Sequence, residues 1–189
     1  MITPVKIRAM KRIKEEFTEL NKEPMDNLGI TVGLTEKDDI FEWQCSMRAP
    51  IDTSYAGGCF ILIVTFPDNY PESSPEVCFK TPIYHINVKP TKSIDPEKEK
   101  IEHLGHVCIS TLNWWSPQIK MREVLSNIFG LFYLPNVESP YGPERSEEFN
   151  NDRPIYEEKA KFFTKKYADP LNPCMWDSGE DWDFSTFQK

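Results

Sequence analysis

The sequence has little glycine and no paired cysteine motif. Gly occurs 8 times against 16 Pro in 189 residues. Turns are therefore set by fixed φ angles more often than by free hinges. The five cysteines stand at 45, 59, 78, 108 and 174, an odd number with no CxxC spacing. A disulfide framework is not indicated, and reduced thiols in the cytoplasm or nucleus are the expectation. A secretory signal, an 18-residue apolar run and an internal repeat are also missing, and Ile2 after Met1 offers no myristoylation site. A surplus of positive charge is lacking too. The net charge of −8 argues against general nucleic-acid binding.

What is there reads as a globular domain. Aromatics make up 13% and charged residues 28%, and a chain of this length buries about 70% of the surface it exposes when unfolded. Over residues 4–21, Ile7, Met10, Ile13, Phe17 and Leu20 recur at helical steps. Thr3-Pro4 supplies an N-cap followed by Pro at the first helical position. The period then changes to two. Ile30, Val32 and Leu34, and then Phe41, Trp43, Cys45 and Met47, alternate with polar or small neighbours, as in half-buried antiparallel strands. Residues 59–66 are apolar on both faces and predict a central strand, and 76–80 a fourth. Residues 81–118 predict mostly loop. Helical spacing returns over 120–133 (Val124, Leu125, Ile128, Leu131, Phe132) and 153–167 (Tyr156, Ala160, Phe163, Tyr167), with a short helix over 144–151. The expected architecture is α+β: an N-terminal helix, a four-stranded antiparallel meander, and C-terminal helices covering one sheet face. Residues 1–168 form the expected core, with an insertion at about 89–102. Residues 169–189 form an acidic tail containing aromatics, either frayed or docked on a core or partner.

Three readings of the chemistry arise. Cys108, in GHVCISTLNWWSP, suits an acyl carrier, because a thiolate is nucleophilic and its thioester still reacts with amines. A buried core cysteine is the plainer alternative, and Cys45, Cys59 and Cys78 fit it inside strand patterns. His85, His103, His106 and Cys108 offer zinc-ligating atoms, but not at a familiar closed spacing. A cysteine hydrolase with His106 as base lacks an evident orienting group.

Separated segments then agree with one family. PDNYPESSPEVCFKTPIYHIN at 67–87, GHVCISTLNWWSP at 105–117, SYAGGCF at 54–60 and LPNVESP at 134–140 resemble the FPxxYPxxPPxxxFxTxxxHPN, GxxCxxxLxxxWSP, YxGGxF and DPNxxxP segments of ubiquitin-conjugating enzymes. The resemblance covers about residues 5–168. It implies that Cys108 holds ubiquitin as a thioester, received from an activating enzyme and passed to a lysine amine, usually with a ligase bound. Asn87 would stabilise the oxyanion or hold the nearby loop, the former an effect typically worth about 10²–10³ in rate. His85 would brace the loop, and Ser110 and Ser139 would tune access. Lys11 and Arg12, in a basic first helix, would dock on the activating enzyme. Glu72, Trp115, Ser116 and Pro117 would meet a ligase. No metal or cofactor is implied, since ATP is consumed by the activating enzyme. The implied partners are the modifier, the activating enzyme, a ligase and a protein substrate, without nucleic acid or membrane.

Departures from the pattern sharpen the alternatives. Ile86 replaces the proline of HPN and frees an N–H and a φ angle. Glu72 stands where relatives carry a large apolar residue, and a charge is disfavoured in an apolar groove. Ser74 replaces a proline. Between Asn87 and Cys108 lie 20 residues, roughly a dozen more than the family's short turn. The insertion 89–102 carries four basic and four acidic side chains, as a tolerated surface loop or a gate beside the cysteine. A catalytically inactive binding module of the same fold, or an enzyme for another modifier such as NEDD8, is the alternative. VCIS and GITVGL favour ubiquitin, and the chain is neither basic like SUMO-conjugating enzymes nor preceded by a long docking arm.

Overall fold

The computed structural model describes residues 2–37, 39–89 and 105–171. Most of the insertion, the neighbouring His103 and the tail from residue 172 lie outside the described residues.

The first helix, α1, spans Pro4–Lys22. Thr3 is extended, and its hydroxyl accepts the Lys6 N–H at 3.2 Å, as an N-cap does. Ala9, Ile13 and Leu20 are buried, and Met10 and Phe17 pack against them. The buried stripe differs from the expected one at both kinds of position. Ile7 is largely exposed because the stripe begins one turn later, and Glu16 is buried within it.

Five strands follow in the sheet order β1-β2-β3-β4-β5, all antiparallel: β1 Ile30–Leu34, β2 Glu42–Arg48, β3 Cys59–Thr65, β4 Glu76–Phe79 and β5 Gly105–His106. The first four occupy the expected segments, and β3 is central. The structure adds β5, a two-residue strand that periodicity cannot show. Gly105 is required there, because a Cβ would lie 2.6 Å from Val88 Cγ1. On the inner face Trp43, Cys45, Met47, Phe60, Leu62, Val64, Val77 and Phe79 are buried. Helix α2 is one turn, Ser110–Asn113. Helix α3, Met121–Gly130, adds Met121, Val124, Leu125 and Ile128 to the same core.

A smaller aromatic core sets the site's backbone. Helices α4 (Pro143–Asn151) and α5 (Arg153–Tyr167) carry Phe149, Tyr156, Phe163 and Tyr167 against Tyr84 and Ile86. The rings meet mostly tilted or edge-on, Phe149 and Tyr156 with centroids 4.9 Å apart. Among the described residues no helix is long and apolar enough to cross a membrane.

Candidate active site around Cys108

The segment 84–88 is fixed at nearly every polar backbone atom. Tyr55 Oη donates to the Tyr84 carbonyl at 2.8 Å. The Arg145 guanidinium, stacked 4.4 Å from the Tyr84 ring centroid, donates to the carbonyls of His85 and Val88. Tyr141 N–H donates to the Ile86 carbonyl at 2.6 Å. The N–H that isoleucine restores at position 86 has its own acceptor, Tyr156 Oη at 3.1 Å. The Ile86 side chain is 1% exposed, within the aromatic core. The absent proline is therefore offset by one hydrogen bond and one buried side chain, and Asn87 is held in place without it.

His85 is buried with both ring nitrogens engaged. Nε2 donates to the Leu131 carbonyl at 3.1 Å, and Nδ1 accepts the Asn87 N–H at 3.0 Å. These roles require the neutral tautomer with hydrogen on Nε2. Burial drives its pKa down to about 4 from 6.5, with Arg145 adding to the fall and the Leu131 bond opposing it. His85 is a brace and not a proton carrier. The sign for stability follows. The unfolded chain takes up this proton as pH falls below 6.5, whereas the folded chain resists until about 4. His85 thus contributes nothing adverse above pH 6.5, and about 3 kcal/mol of stability is lost progressively between pH 6.5 and 4. Denaturant melts of wild type and His85→Gln across that range check this: the wild type should show the steeper loss, and parallel curves would contradict it.

Asn87, wholly buried, bonds the opposite loop through its whole carboxamide. Nδ2 donates to the carbonyls of Asn136 (2.8 Å) and Ser139 (3.0 Å), and Oδ1 accepts the Asn136 N–H at 2.8 Å. Donation to an oxyanion would require one of these bonds to be released. Asn87→Ala should cost about 2–3 kcal/mol, from three bonds worth about 1 kcal/mol each. Thermal melts measure this, and an unchanged melting temperature would rule out the loop-holding role.

Cys108 follows directly on this frame. Its N–H donates to the Asn87 carbonyl at 2.8 Å, and Val107 bridges Val88. Lys89 N–H donates to the His106 carbonyl at 2.9 Å, so the two ends of the insertion are paired at its base. Cys108 is half-buried. Its Sγ lies 3.3 Å from Ser139 Oγ, and Asn113 Nδ2 donates to it at 3.5 Å. Both neighbours can donate to charge on sulfur. Asn113 was not singled out from the sequence. Its place five residues beyond the cysteine, across a one-turn helix, was the available signal. Ser110 starts α2, exposed, and its carbonyl accepts the Trp114 N–H at 2.8 Å. Tyr141 lies close enough that Cys108, Cys78 and Glu76 add to burial in raising its pKa.

The other singled-out residues fall on two surfaces. Lys11 is exposed on α1, beside Glu15 at 3.9 Å. Arg12 is partly buried, and its guanidinium bonds the Glu16 carboxylate and the Ile119 carbonyl. Trp115 Nε1 donates to the Pro71 carbonyl at 2.7 Å, and its ring lies 5.9 Å from that of Tyr70. That bond brings the 115–117 loop beside Glu72, which is exposed, after a cis Tyr70–Pro71 peptide. Ser116 Oγ bonds Gln118 Oε1, and Pro117 is half-buried. Trp114, 84% exposed, extends this surface.

Among the described residues, no histidine is bonded to Cys108. His85 faces Leu131 and Asn87, and His106 faces Glu76 and Cys78. Neither nitrogen is engaged with Cys108, and His103 lies outside the described residues. The order of elements agrees with a match of residues 12–164 to the family model described as ubiquitin-conjugating enzyme. On that match, which takes in most of the chain, the protein belongs to the ubiquitin-conjugating enzyme family.

Proposed function

We propose that this chain is an active ubiquitin-conjugating enzyme that carries ubiquitin as a thioester on Cys108 and passes it to a lysine amine. The observation that carries the reading is the position of Cys108, half-buried with its Sγ between Ser139 Oγ and Asn113 Nδ2. In loading, the Cys108 thiolate attacks the carbonyl of ubiquitin's C-terminal glycine on the activating enzyme. A new S–C bond forms and the activating enzyme's thiolate leaves. In transfer, a neutral lysine amine attacks the same carbonyl, the C–N bond forms, the C–S bond breaks, and the amine's proton passes to solvent.

The Cys108 thiolate is the leaving group of the second step, and the two donors beside it stabilise the charge that builds there. His85 does not serve as base: it is neutral with both nitrogens occupied. The acceptor lysine must lose its proton by desolvation or through a nearby acceptor group. ATP is consumed by the activating enzyme, so this chain requires no cofactor. The exposed Lys11 face of α1 would dock that enzyme. The surface of Glu72, Trp115, Ser116 and Pro117 would take the ligase. Its carboxylate at position 72 favours a partner with a polar or basic counter-residue over an apolar groove. Work in the cytoplasm or nucleus suits a free catalytic thiol.

Incubation with activating enzyme, ATP and ubiquitin, followed by a non-reducing gel, tests the proposal. A band shifted by one ubiquitin and removed by thiol is expected. A band formed only with a different modifier would reassign the cargo. No band with any modifier would leave a binding module.

A further inference from the structure

On the outer face of the sheet, β4 and β5 bring three different donor atoms together. Glu76 and Cys78 stand two apart on β4 and share a face. Cys78 is directly opposite His106 in the register. His106 Nδ1 lies 2.9 Å from Glu76 Oε1 and 3.4 Å from Cys78 Sγ. A carboxylate oxygen, the sulfur and a ring nitrogen all lie within 4.8 Å of one another. A tetrahedral zinc ion, with bonds of about 2.0–2.3 Å, holds its ligand atoms roughly 3.3–3.8 Å apart. Small rotamer changes separate the observed trio from that arrangement.

We propose that Glu76, Cys78 and His106 form a binding site for a zinc-class divalent cation, with its fourth position open to solvent. The donor set is mixed thiolate, imidazole and carboxylate, which favours zinc or cobalt over magnesium or calcium. Burial is graded in the useful direction. Cys78 is 5% exposed, the His106 side chain 28% and the Glu76 side chain 58%. The ion therefore approaches from the carboxylate side and meets the sulfur last. Hydrogen bonds account for each contact of His106 Nδ1 taken singly; the convergence of carboxylate, sulfur and ring nitrogen on one spot is what suits a cation.

The metal-free thiol is held protonated: burial, reinforced by the Glu76 charge, pushes its pKa up to about 12. A dication reverses that preference, because a coordinated thiol is deprotonated outright. On binding, the S–H bond breaks, its proton goes to solvent, and the metal–sulfur bond forms. Neutral His106 contributes the Nδ1 lone pair, and Glu76 its existing charge. The strand that carries His106 continues through Val107 to Cys108, so the ion would pin β5 beside the thioester site.

Cobalt(II) titration of the reduced, chelator-treated full chain under anaerobic conditions is the test. One equivalent should give a thiolate-to-cobalt charge-transfer band with intense tetrahedral d–d absorption, both removed by added zinc. Cys78→Ser should lose the charge-transfer band, and Cys108→Ser should keep it. Glu76→Gln alters an exposed side chain, so its folding is secure, and it should bind cobalt more weakly. A wild type with no thiolate band, a band that survives Cys78→Ser or disappears in Cys108→Ser, or an unchanged affinity in Glu76→Gln would each overturn the site.

Discussion

Cys108→Ala should give a folded protein that forms no ubiquitin thioester at all, while Cys45→Ser, Cys59→Ser and Cys78→Ser retain loading wherever they fold. The reason lies in the surroundings of each sulfur. Cys45 is fully buried on the inner face of β2, and burial raises its thiol to about 12. Cys78 is buried and raised to about 12 as well. Neither can present a thiolate to a protein-sized donor. Cys59 opens β3 with its N–H on the Ala168 carbonyl and has no place beside the 136–139 loop. Among the described cysteines, Cys108 alone stands at that loop. Its half-buried side chain loses one sulfur atom and two weak contacts on truncation, which should change stability by about 1 kcal/mol at most. Cys108→Ser sharpens the result. An oxygen nucleophile at the same place should give a slowly formed ester that resists thiol reagents. Loading is read on non-reducing gels and stability by thermal melts. A thiol-sensitive band persisting in Cys108→Ala would move the acyl carrier elsewhere.

The second large effect is on stability and falls at Glu16. This carboxylate is 3% exposed and takes three donors: Arg12 Nε, Tyr70 Oη at 2.7 Å and the Met121 N–H at 2.7 Å. The last is the first N–H of α3, whose N-cap, Lys120, supplies no side-chain bond. An anion carried on α1 therefore satisfies an orphan donor and the positive end of α3. Glu16→Ala leaves Arg12 without its counter-charge and a buried hydroxyl and N–H unpaired. Breaking a buried pair of this kind costs about 3–5 kcal/mol. For a chain of this size the melting temperature should fall by roughly 10 °C. Function should weaken with it, because Glu16 joins α1, the Tyr70–Pro71 turn that receives Trp115, and α3. Those are the faces proposed for the activating enzyme and the ligase. Glu16→Gln, keeping an acceptor without the charge, should lose less. Equal melting temperatures for wild type and Glu16→Ala would mean that the network is loose in solution.

How far the sequence reached differs between fold and site. Four strands and the helices at 4–22, 121–130, 143–151 and 153–167 stand where periodicity and capping put them, within a few residues. Repeating patterns of burial leave repeating patterns of residues, which is why these were legible. β5 has no period to show, and Gly105 is its only local trace. Glu16 interrupts an apolar stripe at a helical step from Ile13 and Leu20. A charge there, paired with Arg12 one turn back, reads as an accident of the surface until its distant partners, 54 and 105 residues away, come into view. The same holds for Ile86. Its loss of proline looked like a loosened loop, and only the fold brings Tyr156 Oη within reach of the restored N–H. Motifs name residues such as Cys108, Asn87 and Trp115. They do not tell which atoms are already occupied, and the Asn87 carboxamide, committed on both ends to the facing loop, is the clearest instance.

The pairing at the base of the insertion has a consequence for what can vary in this protein. Asn87, Val88 and Lys89 run against His106, Val107 and Cys108, joined by two backbone hydrogen bonds and a bridge. The backbone of Cys108 is thereby tied straight to that of Asn87, and the buried Val88 and Val107 close the clasp between them. Side chains at 88 and 107 can change size only as far as that bridge survives, because the spacing of sulfur and asparagine is set there.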